Sequence, residues 1–166
     1  MEEKKRKCAF TGHREQKLAP GWREASPAGE ALKRQIADAV ENVYAAGISH
    51  FICGMANGCD LYFAEAVLAL RAEHPDVTLE AAIPYAGQTE GWPSTLRQRH
   101  AAILRQCDVT TVLQQRYTRD CMMRRNRYMV DNAAVLIAVY NGSPGGTRRT
   151  MLYAMRRGLE IIEIEI

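Results

Sequence analysis

Three features of the sequence predict an α/β fold: a doubly wound, mostly parallel sheet of about six strands with helices on both faces. Short apolar runs alternate with longer amphipathic stretches from end to end, with no linker-like tract and no internal repeat. One run, residues 134–140, is continuously apolar, as a strand covered on both faces must be. Glycine-rich turns, one from Gly54 to Asp60 and one from Gly142 to Thr147, join a strand directly to a helix. The chain has 166 residues, 47% of them hydrophobic, which suffices for one core and not comfortably for two, so a single domain over residues 1–166 is expected.

The elements follow in order. A first strand over residues 7–11 runs into Gly12-His13-Arg14. A polar loop through Pro20-Gly21 then leads to Ser26-Pro27, an N-cap followed by proline at the first helical position. Leu32, Ile36, Val40 and Val43 give that helix one apolar stripe, and Gly47 stands where a left-handed C-terminal cap is wanted. Residues 49–53 form strand two, and after the Gly54–Gly58 turn a helix carries Leu61, Ala64, Val67 and Leu68 to about Glu73. Strand three, 77–83, stops at Pro84, whose missing N–H suits a strand end, and a helix is expected over 94–105. Strand four, 108–113, is rich in Val and Thr, and a basic helix follows over 119–132. Strand five, 134–140, leads through Asn141-Gly142-Ser143-Pro144-Gly145-Gly146-Thr147 to a helix ending at Arg157. Gly158 caps it before a last strand over 160–164.

Composition narrows the classes of function. No apolar run reaches the ~18 residues of a membrane span, and the charged start has no signal-like segment behind it, so a soluble, cytoplasmic protein is expected. The five cysteines (Cys8, Cys53, Cys59, Cys107, Cys121) include no C-x-x-C pair and read as reduced thiols, so neither a metal site nor a cofactor is expected. Formal net charge is +3, but its distribution is uneven. Arg116, Arg119, Arg124, Arg125 and Arg127 crowd one stretch, and Arg148, Arg149, Arg156 and Arg157 another.

In a doubly wound sheet ligands bind at the carboxyl ends of the strands, so the loops after strands one, two and five are where chemistry belongs. The turn holding Gly54, Asn57, Gly58 and Asp60 presents backbone N–H groups at a helix start and suits an anion. It is no Walker loop, because no Lys-Ser or Lys-Thr follows. Gly142, Gly145, Gly146 and Thr147 make a second and better cradle. Gly12, His13 and Arg14 stand at the end of the first strand, where a guanidinium can clamp phosphate bidentately. One of Arg124, Arg125 and Arg127 is expected to point inward. Trp22, Trp92, Tyr85 and Tyr140 flank these loops as candidates to stack on a base, and Glu65 and Asp60 are the acids nearest the second-strand loop, Asp60 with the position of a helix N-cap.

FTGHR (Phe10 to Arg14), GMANGCDLYFAEA (Gly54 to Ala66), IPYAGQ (Ile83 to Gln88), RNRYMVDNAAVLIAVYNG (Arg125 to Gly142) and PGGTRRTMLYA (Pro144 to Ala154) together resemble the YpsA/YoqJ-like branch of the SLOG superfamily. The match covers nearly the whole chain in order. The resemblance implies a Rossmann-like fold, a nucleotide-derived ligand, and a fifth strand beside the first, so that the TGHR, GMANG and PGGT loops converge on one crevice. The superfamily includes DprA and the Lonely Guy phosphoribohydrolases. Lonely Guy enzymes cleave an N-glycosidic bond with an arginine before the last glycine loop and a glutamate just after it. The arginine position falls on Arg125, whereas the acidic position falls on Arg149 and the loop is shortened to PGGT. Loss of that carboxylate leaves Glu65 or Asp60 as substitutes.

The expected function is therefore binding or sensing of a nucleotide-derived small molecule. The alternative is a nucleoside-monophosphate N-glycosidase using Arg125 and Glu65, and the third reading is single-stranded nucleic-acid binding. The last ranks lowest because no aromatic ladder accompanies the basic stretch. The residues leave a homo-oligomer open.

Overall fold

The computed structural model describes residues 7–166; the charged start read above lies, for residues 1–6, outside the described residues. The strands are β1 (Lys7–Gly12), β2 (His50–Cys53), β3 (Thr78–Ile83), β4 (Val109–Val112), β5 (Val135–Tyr140) and β6 (Glu160–Glu165). Between them lie α1 (Pro27–Ala45), α2 (Cys59–Glu73), α3 (Ser94–Gln106), α4 (Cys121–Asp131) and α5 (Gly146–Arg156), with a short 3-10 turn at Glu15–Lys17. The expected α/β architecture is therefore present, and each element lies within a few residues of its predicted span.

The strands pair in the order β4-β3-β2-β1-β5-β6. Every pairing is parallel, so the sheet is wholly rather than mostly parallel. β5 pairs with β1 in the register Cys8↔Val135 to Gly12↔Val139, the neighbour relation that the resemblance implied. The chain steps outward from β1 to β4, then crosses the other face to place β5 beside β1. Winding direction reverses between β1 and β5, and the loops leaving those two strands part to opposite faces.

Two apolar layers hold the sheet. One joins Phe10, Phe51 and Phe63 to Leu32 and Ile36 of α1, Leu61 and Val67 of α2 and Ile103 of α3, with Phe10 and Phe63 stacked at 4.6 Å. The other packs Met129 and Val130 of α4 and Ala154 of α5 against Ala9, Ile52 and Leu136. β5 is buried along its whole length except Tyr140, which explains its unbroken apolar sequence. β4 is the opposite case: at the sheet edge, its Val109 and Val112 are exposed.

Local signals account for the ends of α1. The Ser26 hydroxyl accepts from the N–H of Gly29 at 3.1 Å with Pro27 at the first helical position, and Gly47 takes φ 103° just beyond the helix. Among the described residues no helix is long and apolar enough to cross a membrane. The five cysteines are unpaired, four of them buried.

Candidate functional site

At the β1/β5 switch point lies a crevice of about 270 Å³, and its lining draws on the β1, β2 and β5 loops and on α4. Gly12, His13, Arg14, Asp60, Gly146 and Thr147, all named from the sequence, line it together with Arg125. The loops after β1, β2 and β5 thus converge because their strands are lateral neighbours.

Arg125 is the floor. Its residue is 4% exposed, and α4 aims the guanidinium across the carboxyl end of the sheet, where Nη1 donates to the carbonyl of Gly54 and Nε to Asn126 Oδ1 at 2.8 Å. Gly54 is what admits it: a Cβ there would fall 2.7 Å from the guanidinium carbon. The same carbonyl accepts from Gln88 Nε2 at 3.0 Å, and Gln88 Oε1 is 3.2 Å from His100 Nε2. On the other side Asn126 Nδ2 donates to Thr150 Oγ1 at 2.9 Å, and the Thr150 hydroxyl donates to Gly146 O at 2.8 Å. A continuous polar chain therefore fixes the cation and ties it to the first turn of α5. Burial lowers the pKa of Arg125, and Asp60 opposes that effect.

Asp60 corrects the N-cap expectation. Gly58 occupies the cap of α2, and Asp60, the second residue of the helix and 6% exposed, turns its carboxylate back to accept from the N–H of Ala56 at 3.0 Å. Burial raises its pKa, against the pull of Arg125, the Ala56 N–H and Arg14. It is the one carboxylate among the described residues that line the crevice.

His13 is a structural tie that also lines the crevice. Its Nε2 accepts from the N–H of Asn141 at 3.1 Å, which requires the neutral ring with its proton on Nδ1. Burial, helped by Lys17, lowers its pKa and keeps that form. Its carbonyl accepts from the N–H of Cys59 at 3.3 Å, so one residue joins the β1, β2 and β5 loops. Gly58, at φ 94°, lets these loops touch, because a Cβ would come 2.8 Å from the N of Glu15 and 2.9 Å from the O of His13. Gly12 is similarly pressed: a Cβ there would come 2.7 Å from the Cβ of Cys59.

Arg14 stands exposed at the rim. Gly142 and Gly145 carry the positive φ angles of the β5–α5 loop, 86° and 143°, and Gly146 opens the helix with free space where a Cβ would be. Gly142 lies farther out in the exposed loop. Asn57 faces a neighbouring cavity that shares Arg14 with the crevice.

Glu65 is displaced from its expected role. It sits on α2 and pairs with Arg99, which also grips Glu24 Oε1 at 2.7 Å, so it belongs to a brace that fastens the β1–α1 loop to α2 and α3. Helical periodicity turns it away from Asp60. Trp22 likewise packs inward, its Nε1 donating to the Tyr62 hydroxyl at 3.3 Å, and Tyr140 lies against His13. Lys17, Gln16, Asn126 and Met122, unmarked in the sequence, also line the crevice. Asn126 had a signal, its place beside Arg125 in RNRYMVD; Lys17 had none, since only folding of the 3-10 turn brings it over the crevice.

A wholly parallel α/β sheet, its crevice at the switch point floored by a buried cation, defines a Rossmann-like fold. The chain belongs to the YspA SLOG family (YpsA), whose model matches residues 8–163. It is 28% identical over 134 residues to the UPF0398 protein of Bacillus thuringiensis (strain Al Hakam), covering 80% of this chain and 71% of that one. A UPF0398 protein of Bacillus cereus (strain AH187) matches equally, at 28% identity with 80% of this chain and 71% of that one covered. Among solved structures, DNA processing protein A (DprA) from Streptococcus pneumoniae superposes with a TM-score of 0.63 at 17% identity, over 96% of this chain. DprA from Helicobacter pylori does so at 0.64 and 16%, over 95%. The chain spans 50% and 64% of those two proteins, and the likeness is one of fold.

Proposed function

We propose that this chain binds a nucleotide or nucleotide-derived small molecule whose phosphate enters the crevice between the β1 and β5 loops. The observation that carries the reading is the buried guanidinium of Arg125, held on the crevice floor beneath Arg14, Lys17 and the first turn of α5. Three cations face one carboxylate, and the N–H groups of a helix start lie beside them, an arrangement that favours an anion. Membership of the SLOG family and the DprA-like fold support a nucleotide or nucleic-acid ligand. The H. pylori protein is described as binding single-stranded DNA, so an oligonucleotide belongs in the test.

Isothermal titration of nucleoside mono- and diphosphates, ADP-ribose, cyclic dinucleotides and a short single-stranded oligonucleotide decides the matter. A mononucleotide-derived ligand should bind below the millimolar range. Arg14→Ala should weaken it by about 1.5–3 kcal/mol, the range for hydrogen bonds to charged groups, and Arg14→Lys should restore only part. Absence of binding across the small molecules would retire the reading.

One observation favours a second, hydrolytic reading: Asp60 places a carboxylate beside Arg125, where Arg149 is solvent-exposed and Glu65 is engaged elsewhere. Release of free base from AMP, lost in Asp60→Asn, would establish N-glycosidase activity.

A further inference from the structure

Resting on the binding reading above, we infer that the nucleotide's base is received in a second lobe of the crevice, walled by Tyr85, Trp92 and Tyr117. This lobe, about 370 Å³, shares Arg14, Gln16, Ala56 and Met122 with the phosphate crevice, so the two open into one another across the Arg14 side chain. Both are near the lower end of the ~300–1,000 Å³ usual for small-ligand sites, and together they suit one ligand with two chemically different ends.

The ends differ as a nucleotide's do. The crevice gathers Arg14, Lys17 and Arg125, whereas the neighbouring lobe has three aromatic rings and only Glu90 and Arg14 as charged groups. Tyr117, on the β4–α4 connection, is 62% exposed and meets Tyr85 edge-on at 5.5 Å, 78° between planes. Trp92 is set perpendicular to the buried His100 at 5.4 Å. A tyrosine exposed to this degree contributes little to the core, yet here it faces a cavity beside two further rings. Flat π-faces of this kind receive a base without demanding its identity, while Asn57 and Glu90 offer polar groups to its edge.

The lobe is also wired to the phosphate end. His100, which orients Trp92, contacts Gln88, and Gln88 shares the Gly54 carbonyl with Arg125. The loops after β3 and β4 thus supply the base site, and those after β1, β2 and β5 the phosphate site.

The test compares AMP with ribose 5-phosphate on wild type, Tyr117→Ala and Arg14→Ala, by titration calorimetry and by tryptophan fluorescence. Wild type should bind AMP at least tenfold more tightly than ribose 5-phosphate, with Trp92 emission quenched by AMP alone. Tyr117→Ala should lose about tenfold or more for AMP, the scale of base–aromatic stacking, and leave ribose 5-phosphate unchanged. Arg14→Ala should weaken both. Equal affinity for the two ligands, or a folded Tyr117→Ala that binds AMP like wild type, overturns the base lobe while leaving the phosphate site standing. Failure of both ligands to bind wild type overturns this inference, and the binding reading falls with it only if the nucleoside diphosphates, ADP-ribose and cyclic dinucleotides fail as well.

Discussion

Replacing Gly54 by alanine puts one methyl group where the Arg125 guanidinium lies. A Cβ there would sit 2.7 Å from both Cζ and Nη1 and 2.9 Å from Nε, well inside contact distance. Gly54 is not in the left-handed region, so the change tests the contact and not the backbone. The guanidinium must yield, and yielding breaks its hydrogen bonds to Gly54 O and Asn126 Oδ1. Overpacking a tight interior costs ~1–3 kcal/mol, and a hydrogen bond to a charged group is worth ~1.5–3 kcal/mol. Because a displaced Arg125 can reach water through the crevice, the expected loss is about 2 kcal/mol, or roughly 4–8 °C in Tm for a chain of this size. Thermal unfolding of ligand-free wild type, Gly54→Ala, Arg125→Met and the double variant measures it. With the guanidinium gone the methyl should cost little, giving a coupling of about 1 kcal/mol or more. Strictly additive losses, or a Gly54→Ala protein that melts with wild type, would refute the placement of Arg125.

Three further outcomes are expected. Burial holds the Asp60 carboxyl above its ordinary value of 3.8, so its contribution to stability is fully present below that value and is lost as pH rises through the folded-state pKa. Asp60→Asn should therefore gain on wild type in melts run from acid towards neutral pH, and should also bind phosphate more tightly; a gain confined to acid pH would contradict this. Gly146→Val meets open space, so its ligand-free stability should move by no more than ~0.5 kcal/mol while nucleotide binding is lost, and retained affinity in calorimetry would put the ligand elsewhere. Burial would raise Glu24, but hydrogen bonds from Arg99 and Lys33 outweigh it and leave the carboxyl below 4.5. Its contribution is present above that value and fades as pH falls through the lowered one. Arg99→Ala should cost about 1 kcal/mol at neutral pH and flatten that acid-side loss, and an unchanged acid profile in pH-resolved melts would count against the brace.

The sequence by itself determined the elements, because their signals are local. Ser26-Pro27 and Gly47 bound α1, the stripe from Leu32 to Val43 sets its buried face, and the unbroken apolar run of β5 announces a strand covered on both sides. The three loops that carry the crevice were legible for the same reason, since glycines between a strand and a helix mark a turn wherever they occur. The motifs also brought the chain to its family, now shown over residues 8–163. What individual residues do in that crevice was not legible. Gly54 and Gly58 read as a phosphate cradle, yet one makes room for a guanidinium and the other for a crossing loop. His13 proved a tie between loops, Asp60 a buried carboxylate facing the crevice, and Glu65 half of an ion pair with Arg99. Tyr117 and Lys17 carried no periodic signal at all. The physical reason is common to these cases: a side chain's partner across the carboxyl end of the sheet depends on which strands are lateral neighbours. The reversal between β1 and β5 sets that, and it exists only when β5, whose Val135 pairs with Cys8 of β1 from 127 residues further along the chain, returns to close the crevice over Arg125.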